Sequence, residues 1–178
     1  MLIKTVFSGF GGQGVLMMGY VLAVAGMHDG KNVTYLPAYG AEVRGGTANC
    51  TVAIADEEIA SPVASNPEFV VVMNKPSLLR FQNIVQSGGG LFLNTCLIDS
   101  RPVRGDIEIF EVPANALAKD VGSDRFTNMV MLGAYLKKTG LASLEVTQKA
   151  VEETFKGKGK SIVTLNKKAL GIGYDHIA

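Results

Sequence analysis

The stretch Leu2 to His28, L-I-K-T-V-F-S-G-F-G-G-Q-G-V-L-M-M-G-Y-V-L-A-V-A-G-M-H, decides the fold. Its opening segment, Leu2 to Ser8, mixes β-branched and aromatic side chains over strand length. The glycines from Gly9 to Gly14 then break the strand, and an apolar helix follows from about Gln13 to His28. This is a β-turn-α unit, the repeating piece of α/β folds. The helix is apolar on nearly every face, which suits burial between a sheet and a second layer or another chain. Its methionines, Met17, Met18 and Met27, read as adaptable packing.

Working outward, the elbow Gly9 to Gly14 (G-F-G-G-Q-G) has a counterpart at Gly40 to Gly46 (G-A-E-V-R-G-G), just beyond a second strand, Val33 to Ala38. Glycine permits φ > 0 and close approach of a ligand or a neighbouring backbone. Both elbows are therefore candidate anion-binding or docking loops, with tight strand-to-helix turns as the plainer reading. Gly9, Gly11 and Gly14 also satisfy the G-x-G-x-x-G spacing of dinucleotide-binding folds. However, Val33 to Ala38 ends without the acid that would hold a ribose, and Asp29 comes too early, in the D-G-K-N turn. Nicotinamide binding is disfavoured. In the second elbow Arg44 is the permanent cation, able to clamp phosphate or carboxylate together with exposed N–H groups. Glu42 could instead hold Arg44 in an internal ion pair, which would make the loop an ordered docking surface.

Thr47 to Ala55 reads as a strand, and the polar turn Asp56-Glu57-Glu58 after it suggests a hairpin, hence some antiparallel pairing. Phe69 to Met73 is a continuous apolar run, as in a central strand covered on both faces. Asn74 and Lys75 stand at its carboxyl end, where ligands of open α/β sheets bind. Asn74 equally reads as the cap of a helix that Pro76 opens and that runs to about Gln86. Beyond the turn Gly88 to Gly90 come strands Leu91 to Asn94 and Ile107 to Val112, then a short helix over Ala114 to Val121. A helix over Asn128 to Lys138, capped by Ser123-Asp124, and an amphipathic one over Leu144 to Phe155 complete the pattern, with spaced apolar residues continuing to Leu170. Without repeats or a linker, residues 1–178 read as one α/β domain with a mostly parallel sheet and some antiparallel pairing.

Hydrophobic residues make up 47% and charged ones 19%, below the ~25% charge usual for soluble domains. Some apolar surface covered by other chains is expected. A net charge of +1 without a long basic run argues against nucleic acid, and Lys156 to Lys160 reads as a solvated turn. The longest apolar stretch, Val15 to Met27, is too short for a bilayer, so the chain reads as soluble and cytoplasmic, with no membrane partner. Cys50 and Cys96 cannot supply a four-cysteine cluster, and His28 and His176 lack ligand-spaced companions, so no metal site is expected.

Four strings in order, G-F-G-G-Q-G-V, Y-G-A-E-V-R-G-G-T-A-N-C, A-S-P-V-A-S-N-P with V-V-M-N-K-P-S, and T-N-M-V-M-L-G-A-Y, resemble the gamma subunit of 2-oxoacid:ferredoxin oxidoreductases over most of the chain. The E-V-R-G-G-T-A-N-C form is closer to the 2-oxoglutarate and branched-chain 2-oxoacid members than to the pyruvate or indolepyruvate ones. The resemblance implies oxidative decarboxylation of a 2-oxoacid, 2-oxoglutarate first among the candidates, with coenzyme A, giving acyl-CoA, carbon dioxide and reduced ferredoxin. It implies thiamine diphosphate and magnesium on alpha and beta subunits, and iron–sulfur clusters on beta and a ferredoxin-like delta subunit. This chain is then an α/β three-layer Rossmann-like sandwich that binds no cofactor alone and closes around CoA in the assembled complex. By position, Gly11, Gly12, Gln13 and Gly14 match the first glycine loop, and Gly40, Arg44, Gly45, Gly46, Thr47 and Asn49 the second, with Tyr39 and Glu42 at a subunit interface. Ala41 and Val43 stand where many relatives have proline and methionine. A stand-alone nucleotide-binding protein and a scaffold that binds no small molecule are the alternatives.

Overall fold

Strand β1 (Leu2–Phe10) runs through the middle of a six-stranded sheet in the computed structural model, which describes residues 1–39 and 47–177. The other strands are β2 (Asn32–Tyr39), β3 (Thr47–Ala55), β4 (Phe69–Val72), β5 (Gly90–Asn94) and β6 (Glu108–Val112), in the spatial order β2-β3-β1-β4-β5-β6. The pairings β1–β4, β4–β5 and β5–β6 are parallel, and β1–β3 and β2–β3 antiparallel. The helices are α1 (Val15–His28), α2 (Lys75–Phe81), α3 (Ala114–Lys119), α4 (Thr127–Thr139), α5 (Leu144–Phe155) and α6 (Lys160–His176).

Strand alternation sorts the core into two layers around the sheet. Phe7, Cys50, Val52, Ile54, Val71 and Phe92 pack under α1, α3, α4, α5 and α6, whereas Val6, Val70, Val72, Leu91 and Leu93 face α2 through Leu78 and Phe81. The expected three-layer α/β sandwich is present, with unequal outer layers. The continuous apolar run in β4 is buried on both faces, as its lack of alternation requires. Tyr135 of α4 lies wholly buried against Phe7, Phe69 and Phe92, its hydroxyl 2.6 Å from Thr5 Oγ1. Burial pushes its phenol above the ordinary range, so it stays neutral.

Two readings need correction. The acidic turn at Asp56 does not lead into a hairpin: β3 pairs back on β2, and β4 joins β1 in parallel. Asp56 instead receives Lys31 Nζ at 2.6 Å and the Met1 ammonium at 2.8 Å. These two cations, Lys31 foremost, hold its carboxyl down to about 2. The second correction concerns the C-terminal part, where a continuous helix α6 extends to His176. Its pattern is blurred because its contact with α4 uses glycines in place of large apolar side chains.

A Cβ placed on Gly133 of α4 would lie 2.0 Å from the Leu170 carbonyl oxygen, and one on Gly173 of α6 would lie 1.8 Å from that of Val130. Backbone meets backbone there, so room for a methyl group comes only from moving a whole helix. Gly133→Ala or Gly173→Ala is therefore expected to cost about 3 kcal/mol by forcing the helices apart. Gly171→Ala, whose added Cβ meets nothing within 4 Å, is expected to gain up to about 1 kcal/mol from helix propensity. Urea denaturation of the three variants measures the contrast; equal midpoints would refute the tight crossing.

Candidate functional site

The carboxyl ends of β1, β4 and β5 lie side by side, and the first glycine elbow rises from this edge. Strand β1 extends through Gly9 and Phe10, which pair with Ala48 and Thr47 of β3, so the elbow proper narrows to Gly11–Gly14. A bond from Gln13 N to Phe10 O at 3.1 Å closes the turn. Gly12 and Gly14 have φ of 93° and 72°, the left-handed region in which a side chain is strained.

The Gln13 side chain fixes this loop to its neighbours. Its Oε1 accepts from Phe10 N at 2.6 Å and from Asn74 Nδ2 at 2.9 Å, and its Nε2 reaches Met73 O at 3.5 Å. Asn74 is the N-cap of α2, its Oδ1 accepting from Ser77 N at 3.0 Å, so one buried amide caps a helix and braces the loop. Asn94, at the end of β5, donates to Met73 O at 3.3 Å and Asn115 Oδ1 at 2.8 Å. Its own Oδ1 has no partner among the described residues. On the far side, Asn128 Nδ2 donates to Gly14 O at 3.2 Å. A Cβ on Gly14 would sit 2.5 Å from that nitrogen, so the close approach of α4 also demands glycine.

Beside the loop lies a cavity of about 190 Å3 lined by Gly12, Gln13, Asn115, Asp124, Arg125 and Thr127. A second, of about 340 Å3, follows the other flank past Val15, Leu16, Met17 and Ala48. Of the sequence-read site residues, Gly11, Gly12, Gln13 and Gly14 come together here. Gly40, Glu42, Arg44, Gly45 and Gly46, and the side chain of Tyr39, lie outside the described residues. Thr47 is brought next to Phe10 in register, and its Oγ1 accepts from Arg80 Nη1 at 2.7 Å. Ala48 and Cys50 pack on the α1 face, so Thr47 and Asn49 present their side chains to the opposite, α2 face, away from the start of α1. Asn94, Asn115, Asn128 and Arg125 escaped the sequence reading. The repeated ending of V-V-M-N and L-F-L-N, an apolar strand closed by asparagine, was the available signal.

The dinucleotide spacing does not carry its usual geometry. In that fold the second strand lies beside the first and brings an acid to the ribose. Here β3 is inserted between β1 and β2, and its first residues occupy the ground beside the glycine loop. The cysteines also stand apart in character. Cys50 is buried, and burial pushes its thiol up to about 12, whereas Cys96 is exposed. Thiolate ligation is unfavourable at the first, and no three His, Cys, Asp or Glu side chains gather among the described residues. This donor set does not fit an iron–sulfur cluster.

A family model described as pyruvate ferredoxin/flavodoxin oxidoreductase matches residues 4–176. The chain belongs to that family. It is similar to the ketoisovalerate oxidoreductase subunit VorA of Methanothermobacter marburgensis, 39% identical over 175 residues, which cover 97% of this chain and 36% of that protein. It thus spans about a third of the length of the VorA proteins it matches. With the 2-oxoglutarate synthase subunit KorC of the same organism the identity is 33%, over 83% of each chain. The structure of the gamma subunit of a keto/oxoacid ferredoxin oxidoreductase from Geobacter sulfurreducens superimposes with a TM-score of 0.82 at 30% identity, covering 97% and 96% of the two chains. The resemblance to gamma subunits read from the four strings is borne out.

The brace makes a test of its own. Asp is as good an N-cap as Asn, but Asn74→Asp would set a carboxylate oxygen against Gln13 Oε1, where an N–H now donates. A loss of about 1–3 kcal/mol is expected in chemical denaturation, from two oxygens set against each other in a partly buried contact where Asn74 now donates, even though Gln13 Oε1 keeps Phe10 N. Ser143→Asp, at the N-cap of α5 with no such second duty, is expected to be neutral within about 0.5 kcal/mol. Equal effects would mean that Asn74 only caps.

Proposed function

We propose that this chain is the gamma-type subunit of a 2-oxoacid:ferredoxin oxidoreductase and forms part of its coenzyme A site. The carrying observation is the family match over residues 4–176, joined by gamma-subunit likeness along nearly the whole chain. The complex would convert a 2-oxoacid, CoA and two oxidised ferredoxins to acyl-CoA, carbon dioxide, two reduced ferredoxins and a proton. The substrate is 2-oxoglutarate or a branched-chain 2-oxoacid, the classes named for the relatives KorC and VorA. Alpha, beta and delta subunits are the partners. Thiamine diphosphate with magnesium, and iron–sulfur clusters, would there supply the carbanion chemistry and carry the electrons.

What this chain's own residues do is bind and enclose. The N–H groups of Gly11, Gly12 and Gly14 sit in a loop held in one arrangement by the Gln13 side-chain brace, the Gln13 N–H itself being used on Phe10 O, and such preorganised donors suit an anion. Arg44, Gly45 and Gly46 form the second half of the proposed site, with Arg44 as the cation for CoA phosphates, whereas Thr47 and Asn49, whose side chains turn to the α2 face, are assigned no CoA contact. Tyr39 and Glu42 are assigned to the interface with a partner subunit. Phosphate recognition by the first loop does not require the ribose acid that this fold lacks, so the reading agrees with the inserted β3. No helix among the described residues is long and apolar enough to cross a membrane, and we assign the complex to the cytoplasm.

Co-expression with the partner subunits and assay with 2-oxoglutarate, 2-oxoisovalerate and pyruvate tests the proposal. Expected is CoA-dependent ferredoxin reduction with one of the first two substrates, and no activity from this chain alone. In the active complex, Arg44→Ala is expected to raise the KM for CoA about tenfold or to loosen assembly, as loss of a charge-assisted contact would. Turnover by the isolated chain, or an Arg44→Ala complex unchanged in both respects, contradicts the assignment.

A further inference from the structure

Arg125 borders two cavities. One is the polar chamber of about 190 Å3 beside Gly12 and Gln13. The other, of about 180 Å3, is walled largely by Met17, Phe155 and Ile162. Arg125 lines both, in the short turn Asp124–Phe126 that precedes α4.

Its guanidinium differs from those of the other described arginines. Arg80 donates to Thr47 Oγ1 at 2.7 Å and lies over the Phe81 ring. Arg101 is paired with Glu111 at 2.7 Å and Arg104 with Asp106 at 2.6 Å. Among the described residues the Arg125 guanidinium has no hydrogen bond, ion pair or ring contact; only its backbone N–H is engaged, to Ser123 Oγ at 3.2 Å. Asp124 lines the same chamber, but adjacent residues on a helical turn diverge and do not pair. An always-charged fork of five donors is thus left without a partner among the described residues, on a residue that lines the chamber bordered by the glycine loop.

We propose that Arg125 is a second cationic contact for the phosphates of coenzyme A, with the apolar cavity at Met17, Phe155 and Ile162 receiving an uncharged part of the same molecule. This rests on the CoA-binding reading above. A ligand that joins phosphate groups to a pantetheine arm and an adenine ring matches a polar chamber and an apolar one that share Arg125 in their walls. Gln13 is tied down by its hydrogen bonds, whereas exposed Arg125 keeps its reach. The loop supplies fixed N–H groups, and Arg125 supplies the charge.

The test uses the assembled complex with wild-type chain, Arg125→Ala and Arg125→Lys, titrated with CoA and with 3′-dephospho-CoA. Arg125→Ala is expected to raise the KM for CoA about tenfold while kcat and the KM for the 2-oxoacid stay within about twofold; Arg125→Lys recovers part of the loss. If the contact is to the 3′-phosphate, the Arg125→Ala effect vanishes with 3′-dephospho-CoA. If it is to the diphosphate, the effect persists, and both results support the proposal. An unchanged KM for CoA, or a variant complex that no longer assembles, overturns it, the latter making Arg125 a subunit contact. A wild-type complex without CoA-dependent turnover removes the underlying function instead, and is recognised before any variant is made.

Discussion

Strand β1 sits between an antiparallel neighbour, β3, and a parallel one, β4, and the rest of the molecule follows from that double pairing. On the parallel side it aligns the carboxyl ends of β1, β4 and β5, the edge where helix starts and loops converge. On the antiparallel side it brings the beginning of β3 up against the end of β1 and moves β2 one place outward. One pairing thereby builds a crevice at the sheet edge, and the other removes the neighbour that dinucleotide binding needs. Buried residues on both sheet faces hold the arrangement, with Phe7 under the larger helical layer and Val6 under the smaller.

Neutral amides dominate the crevice. Gln13, Asn74, Asn94 and Asn128 each bridge separate segments of chain. A buried amide satisfies backbone donors and acceptors without the large desolvation cost of an ion, so the loop is held while the interior stays free of net charge. Charged groups, Asp124 and Arg125 among them, are confined to the rim. This division suits a subunit whose part is to present shaped backbone to an anionic molecule while electron carriers and acid–base groups sit elsewhere in the proposed complex.

The surface tells a related story. Met17, Tyr20 and Met27 of α1 and Leu36 of the edge strand β2 are exposed, which accounts for part of the low charge content. Helix α1 is buried on its sheet side by Val15, Met18, Val21, Leu22 and Ala25 and still shows apolar groups outward. A helix without a polar face has little sequence-level amphipathicity, and only the sheet beneath it distinguishes in from out.

The β-turn-α opening, the doubly covered β4, the cap at Asn74 and the family itself were legible in the sequence, because strand length, glycine placement and apolar runs are local properties. The antiparallel pairing was foreseen, but it was located at Asp56, since pairing partners are chosen across the sheet and not by the nearest turn. Helix α6 was hidden because its core-facing positions include Gly173, whose value lies wholly in the approach of Val130 O. The double duty of Asn74, the place of Arg125 beside two cavities and the turning of Asn49 toward the α2 face came only with the tertiary structure. Each depends on which residues, distant along the chain, share one sheet edge or one side of it, and local composition holds no record of that.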